Sequence, residues 1–333
     1  MGDSRAPWVE PDTAALLAAM ATDFAGAPAD PTVEQRRQGL AAAGVLYGPE
    51  PVEVGRIEDR TAPGPHGPVS VRIYWPKGAD VGRLRPLVLH IHGGGWVLGD
   101  PDSYERIARA YCAAGDCVLV DVNYRRAPEH KYPMALNDCL AALAWAAANA
   151  RALGADPARI VVTGDSAGGH LAAGVCQQTS IPVALQILVY PVMTASADPR
   201  MASRKALGDG RYFLREFDIL RAETEYFEPS AEREEAPASP LLAPQEILSV
   251  QPPTLVITAG LDPLCDEGAA YVRALRRAGV AAREWRVKGT IHAFVLFAGR
   301  IGAGRQVIAE IGRRIRRVRP GRSPGLLARL FGA

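Results

Sequence analysis

Residues 164–169 read Gly-Asp-Ser-Ala-Gly-Gly, a G-x-S-x-G pentapeptide that follows an apolar run ending at Thr163 and precedes a helical pattern. A serine on so tight a strand-to-helix turn needs small neighbours, because the backbone is strained there and larger side chains collide. Gly164 and Gly168 meet that need. The turn presents the Ser166 hydroxyl at the top of a sheet, beside the free N–H groups of a helix N-terminus. A second block, His92-Gly93-Gly94-Gly95-Trp96, also follows an apolar run. Consecutive glycines let backbone N–H groups approach a ligand closely. An oxyanion hole, completed by the N–H of Ala167, is one use for them; a phosphate-cradling loop and a simple tight turn are the others. No Lys-Ser or Lys-Thr follows the glycines and no G-x-G-x-x-G with a downstream acid is present, which favours the oxyanion hole.

A nucleophilic serine needs a base, and the base needs an orienting acid. Of six histidines, His90 lies in an apolar run and His92 opens the glycine loop. His66 sits in a Gly/Pro turn, His130 follows Pro128-Glu129, and His170 lies on the helix behind the serine. His292 is the favoured base, because it follows the last expected strand, on the edge where strand C-termini collect. The favoured acid is Asp262, in the loop after the run 254–258. Asp266 is the alternative, but it and Glu267 suit the first turn of the next helix. The order Ser166, Asp262, His292 fits an α/β hydrolase and neither common serine-protease order. The pair His90-x-His92 has no third ligand cluster, so no metal and no cofactor is expected.

The elements that must position these residues form a βαβ pattern. Val69–Trp75 alternates and reads as a half-exposed strand. The runs 87–91, 117–122, 160–163, 185–189 and 254–258 are continuously apolar, as strands buried on both faces are. Residues 134–153, 166–178 and 267–278 read as helices, with Gly279 as a stop and 283–287 as a last strand. Two regions fall outside the alternation: the first 48 residues, with Leu16, Leu17, Met20 and Phe24 on one helical face, and residues 195–240, rich in aromatics. Peripheral packing and a substrate-covering cap both fit them. Ile301, Val307, Ile308, Ile311, Ile315 and Val318 recur at helical spacing, so Arg313, Arg314, Arg316 and Arg317 are expected on the outer side of a final helix.

The 333 residues suffice for one large domain, and 48% apolar with 22% charged residues excludes a disordered or disulfide-framework chain. A formal net charge of +2 gives no reason to expect a nucleic acid as partner. Nine arginines against the single acid Glu310 do concentrate after residue 298. The five cysteines are odd in number and mostly in apolar stretches, which suits reduced, buried thiols. With no apolar run of membrane-span length and no secretory h-region, the expectation is a cytoplasmic protein without stable membrane insertion.

The blocks HGGGW at 92–96, NYRRAPEHKYP at 123–133, GDSAGG at 164–169, DPLCDE at 262–267 and His292 together resemble the hormone-sensitive-lipase-like branch of the α/β-hydrolases, the family IV esterases. The resemblance covers roughly residues 50–315. It implies a mostly parallel central sheet flanked by helices, with a helical cap. The implied organisation is an N-terminal cap segment at 1–50, a catalytic domain at 51–194 and 241–320, a cap insertion at 195–240 and a basic tail at 321–333. It also implies that Gly94, Gly95 and Ala167 hold the oxyanion. Trp96 and the cap aromatics Tyr212 and Phe213 are expected to line an apolar pocket for short to medium acyl esters. The implied activity is a serine carboxylesterase acting on a small-molecule ester through an acyl-enzyme; a homodimer is one assembly open to the chain. The alternatives are a biosynthetic deacetylase, acyltransferase or cyclase using the same triad, and a non-catalytic receptor. Two positions depart from the family pattern: Arg126 stands for a leucine, facing solvent or reading an acidic group, and Ala293 stands for a glycine after the histidine.

Overall fold

A computed structural model describes residues 7–79, 82–195 and 200–320; the basic tail at 321–333 lies outside them. Eight strands form one sheet: β1 (Arg56–Ala62), β2 (Val69–Trp75), β3 (Arg85–Ile91), β4 (Val118–Asn123), β5 (Ala155–Asp165), β6 (Leu185–Val189), β7 (Thr254–Ala259) and β8 (Ala282–Val287). Their spatial order is β1-β2-β4-β3-β5-β6-β7-β8. The first two pairings, β1 with β2 and β2 with β4, are antiparallel and all others parallel. The parallel strands β3, β4, β6 and β7 are buried throughout or nearly so, as is β5 from Ile160 onward, because helices cover both faces.

Two core clusters sit on the two faces. One packs α4 (Met134–Asn149), α5 (Ala167–Gln178) and α9 (Cys265–Arg277); the other packs α3 (Glu105–Gly115) and α10 (Gly302–Arg316). Helix α10 buries Val307, Ile308, Ile311 and Ile315 and leaves its arginines outward. Arg313 and Arg314 there grip Glu310 and hold its carboxyl down at about 2. All five cysteines are free and buried.

Before the sheet come α1 (Pro11–Asp23) and α2 (Val33–Tyr47), and between β6 and β7 come α6 (Ala202–Leu207), α7 (Glu216–Tyr226) and the short α8 (Gln245–Ser249). Thr32 caps α2 with a reciprocal bond to Gln35. Arg37, one turn on, donates to the carbonyls of Val97 and Ala127 and forks onto Glu129, both bonds at 2.8 Å, so α2 is fastened to the glycine-rich loop after β3.

One expectation changes and two elements are added. Strand β2 is not half-exposed: only Ser70 is open, because helices α3 and α4 pack on it and Trp75 Nε1 donates to the Leu153 carbonyl at 2.8 Å. Strand β1 and helix α3 have no counterpart in the sequence pattern. β1 is a polar edge strand, RIEDRTA, held by its register with β2, and α3 has its apolar residues interrupted by Arg106 and Arg109.

Candidate active site

The parallel strands deliver the expected residues to one edge of the sheet. Strand β5 ends at Asp165, and Ser166 follows at φ 54°, ψ −121°, before α5 begins at Ala167. A non-glycine residue held there stores on the order of 1–3 kcal/mol. The elbow is fixed by Ser166 N–H donating to the Val189 carbonyl at 2.9 Å and by His170 N–H donating back to the Ser166 carbonyl at 3.1 Å. The flanking glycines are required by contact: a Cβ on Gly164 would run into the Gly168 carbonyl, and one on Gly168 into the carbonyls of Ile91 and His92.

His292 Nε2 lies 2.8 Å from Ser166 Oγ, and His292 Nδ1 lies 2.7 Å from Asp262 Oδ2. Asp262 is fully buried, and its other oxygen accepts the Leu264 N–H at 2.9 Å. Ser166, Asp262 and His292 are thus joined in one hydrogen-bonded series, an arrangement able to draw a proton off the hydroxyl. Asp266, the alternative acid, instead accepts the Ser203 N–H on α6 at 3.0 Å. Ala293, where the resembled family has glycine, holds φ 63°, so the backbone after the histidine carries the left-handed turn without the residue that adopts it freely.

The glycine loop faces Ser166. The N–H of Gly93 is taken by Asp165 Oδ1 at 3.0 Å. Gly94 and Gly95 have φ of 110° and 60° and line the cavity with Ser166. Tyr124 Oη donates to the His92 carbonyl at 2.9 Å and its ring stacks on the His92 imidazole, so His92 fixes the loop. Arg126 does not face solvent: it is about three-quarters covered, donates to the Gly99 carbonyl at 2.5 Å and lies 3.4 Å from Asp100, bracing the far end of the same loop.

The cavity over Ser166 measures about 250 Å³, with walls from α2 (Leu40), the loop (Gly95, Trp96), α7 (Ile219, Ala222) and the segment after His292 (Leu296, Phe297). Phe213 and Trp96 belong to the lining. Tyr212 does not; it is buried in the core cluster on the α3 side. Trp96 is held from both sides: its ring stacks at 4.7 Å on Tyr226 of α7, and its Nε1–H donates to His170 Nδ1 at 3.2 Å. A wider recess of about 470 Å³ lies by the sheet edge between residues 54–56 and 75–79 and holds neither nucleophile nor base, so the chemistry belongs to the smaller cavity.

Sequence reasoning missed two groups. One is the buried ion network of Arg204, whose Nε lies 2.7 Å from Glu267 and whose Nη1 lies 3.0 Å from Glu223. The other is the Trp96–His170 bond, between residues 74 positions apart. Neither has a local signal. No helix among the described residues is long and apolar enough to cross a membrane.

The chain is similar to known esterases in sequence and in structure. The esterase LipI of Mycobacterium tuberculosis is 36% identical over 262 residues, covering 74% of this chain and 78% of that protein. The carboxylesterase NlhH of the same organism is 38% identical over 258 residues, covering 75% and 79%. Among solved structures, a hyperthermophilic esterase from the archaeon Pyrobaculum calidifontis superposes with a TM-score of 0.83 at 33% identity, covering 93% of this chain and 98% of that one. An ester hydrolase from the Lake Arreo metagenome, complexed with a derivative of bipyridine phosphonate, gives 0.86 at 32% identity, covering 92% and 98%. Residues 88–296 match the family described as the alpha/beta hydrolase fold, and the chain belongs to that family, in its hormone-sensitive-lipase-like branch.

Proposed function

We propose that the protein is a serine carboxylesterase that hydrolyses esters with short to medium acyl chains through an acyl-enzyme on Ser166. The observation that carries this reading is the series Ser166 Oγ–His292 Nε2–Asp262, at 2.8 and 2.7 Å, at the floor of a largely apolar cavity. His292 Nε2 takes the hydroxyl proton as Oγ bonds to the ester carbonyl carbon, and the carbonyl π pair moves onto its oxygen. The N–H groups of Gly94, Gly95 and Ala167 receive that oxygen; losing one such donor costs about 10²–10³ in rate. Collapse expels the alcohol, which leaves with the proton from Nε2. Water then repeats the two steps and releases the acid. Gly93 has no part in the oxyanion hole, since its N–H is already bonded to Asp165.

The test is turnover of p-nitrophenyl butyrate by the wild type and by Ser166→Ala. The variant should keep its thermal transition and lose about 10⁴-fold or more in kcat. Retention of most of the activity would overturn the nucleophile. A burst in the wild type without turnover would overturn water as the acceptor of the acyl group.

A further inference from the structure

Asp165, the residue before the nucleophile, is almost wholly buried, and its two oxygens face two parts of the site. Oδ1 accepts the Gly93 N–H at 3.0 Å and Oδ2 accepts the Tyr104 hydroxyl at 3.1 Å. The fit at Gly93 is close: a Cβ there would come within 2.6 Å of Asp165 Oδ2 and 2.9 Å of the Tyr104 hydroxyl. One carboxylate therefore ties the strand end that carries Ser166 to the loop that carries Gly94 and Gly95. Every hydrogen bond it makes is one it accepts, as an ionised carboxylate requires.

Asp165 directly precedes Ser166, whose Oγ lies 2.8 Å from His292 Nε2, and Asp165 and His292 line the same cavity. Burial raises the Asp165 carboxyl above its ordinary range, while His90 on β3, the Tyr104 hydroxyl, His292 and the Gly93 N–H all favour its ionised form. Tyr104 and Tyr111 face it from the α3 side, Tyr124 from the end of β4 and Tyr190 from the end of β6. The other groups against His292 are Asp262, Ser166 and the Tyr190 ring at 4.8 Å. Beyond His90 stands Asp121, at 2.8 Å from its Nδ1, on β4.

We propose that Asp165 is a positioning residue of the reaction, which pins the oxyanion loop through Gly93 and supplies, beside Asp262, a second fixed negative charge that favours the imidazolium formed on His292. Inside a protein a fixed charge acts far more strongly than in water. The inference rests on the proposed roles of Ser166, His292 and the glycine loop.

Two substitutions separate the parts. Asp165→Asn keeps an acceptor for the Gly93 N–H and removes the charge. The acid limb of its kcat/KM profile, which reports protonation of the free enzyme's base, should move down by about one pH unit, with the plateau falling about tenfold. Asp165→Ala also frees Gly93. Its kcat should fall by about 10²–10³, as when an oxyanion donor is lost, with KM little changed. Direct titration of the His292 ring by NMR in both variants reads the same shift without relying on turnover.

An Asp165→Asn profile that superimposes on the wild type, or an unchanged His292 titration, would overturn the charge. Equal losses in the two variants would overturn the pinning of the loop. Covalent labelling of the wild type by an aryl phosphonate, abolished by Ser166→Ala, is the separate control: its failure would overturn the serine reading itself, whereas labelling with unshifted profiles would overturn only the role of Asp165.

Discussion

His170 shows how a residue without a role in the chemistry can set the pH range of the molecule. It is buried, its Nδ1 accepts from Trp96 and its Nε2–H donates to the Ala238 carbonyl at 2.9 Å, which fixes a neutral ring. Burial pushes its pKa down to about 4, from an ordinary value near 6.5. Between those values the unfolded chain binds a proton that the folded chain refuses. The associated stability is present above about pH 6.5 and is lost as the pH falls toward 4, on the order of 3 kcal/mol. His92, lowered to about 4 by burial as well, adds loss of the same sign. His170→Gln cannot take up that proton, so its Tm should fall less than the wild type's between pH 7 and pH 4.5. Parallel melting curves would show that His170 carries none of the dependence. At this scale the sequence is legible where a residue's place along the chain fixes its place on the sheet edge, as for Ser166, Asp262 and His292. It is not legible where contact is made across the fold: Trp96 with His170, Gly93 with Asp165, and Arg126 with Gly99.

Among elements, the buried strands are the clearest, because an uninterrupted apolar run has few other places to go; 185–189 begins and ends as β6 does. The polar edge β1 is hidden because only its partner holds it. Helices α6 and α7 stand out in sequence only as an interruption, and what docks them is ionic. Arg204 on α6 bonds Glu223 on α7, Glu267 on α9 and the Thr194 carbonyl, while Ser203 Oγ donates to the Pro263 carbonyl at 2.7 Å. Glu267 is further held by the N–H groups of Met193 and Thr194. Helix α7, which walls the cavity, is thereby bound to the turn that carries Asp262. Arg204→Met leaves two buried carboxylates without their cation and should cost about 3–5 kcal/mol. Burial already raises Glu223 to about 7, against the lowering effect of Arg204. Its ionised form is therefore the costly one, and native stability from this group declines as pH rises from about 4.5 through 7. The penalty of Arg204→Met should accordingly be larger at pH 8 than at pH 6. Hydrogen exchange should show α7 losing protection before the sheet does. Equal penalties at the two pH values, or protection lost uniformly, would remove Arg204 as the tie.

For the molecule as a whole, the sheet carries the hydrogen-bonded series while the elements outside its alternation close the space above it. Leu40 of α2 and Ile219 and Ala222 of α7 line the cavity together. Arg36 of α2 reaches Glu225 of α7 at 2.5 Å and joins the two helices, while Arg221 of α7 shares the same carboxylate at 3.3 Å. This shared wall could not be read in the sequence, which marks the two regions as unusual without saying that they meet. A walled, mostly apolar space of about 250 Å³ makes a graded prediction about acyl length. Each methylene that enters gains about 0.8 kcal/mol, roughly fourfold in kcat/KM, until the space is full. The series of p-nitrophenyl esters from acetate upward should therefore climb and then turn over within the short to medium range. A Cβ on Gly95 would meet Ala222 Cβ at 3.0 Å, so the side chain at position 222 stands directly over the glycine loop after β3. Ala222→Phe should move the turnover point toward acetate while leaving the acetate rate within a fewfold of the wild type. A flat rate across all chain lengths, or a variant with an unchanged optimum, would mean that the acyl chain leaves the site by another side and that α7 does not bound it.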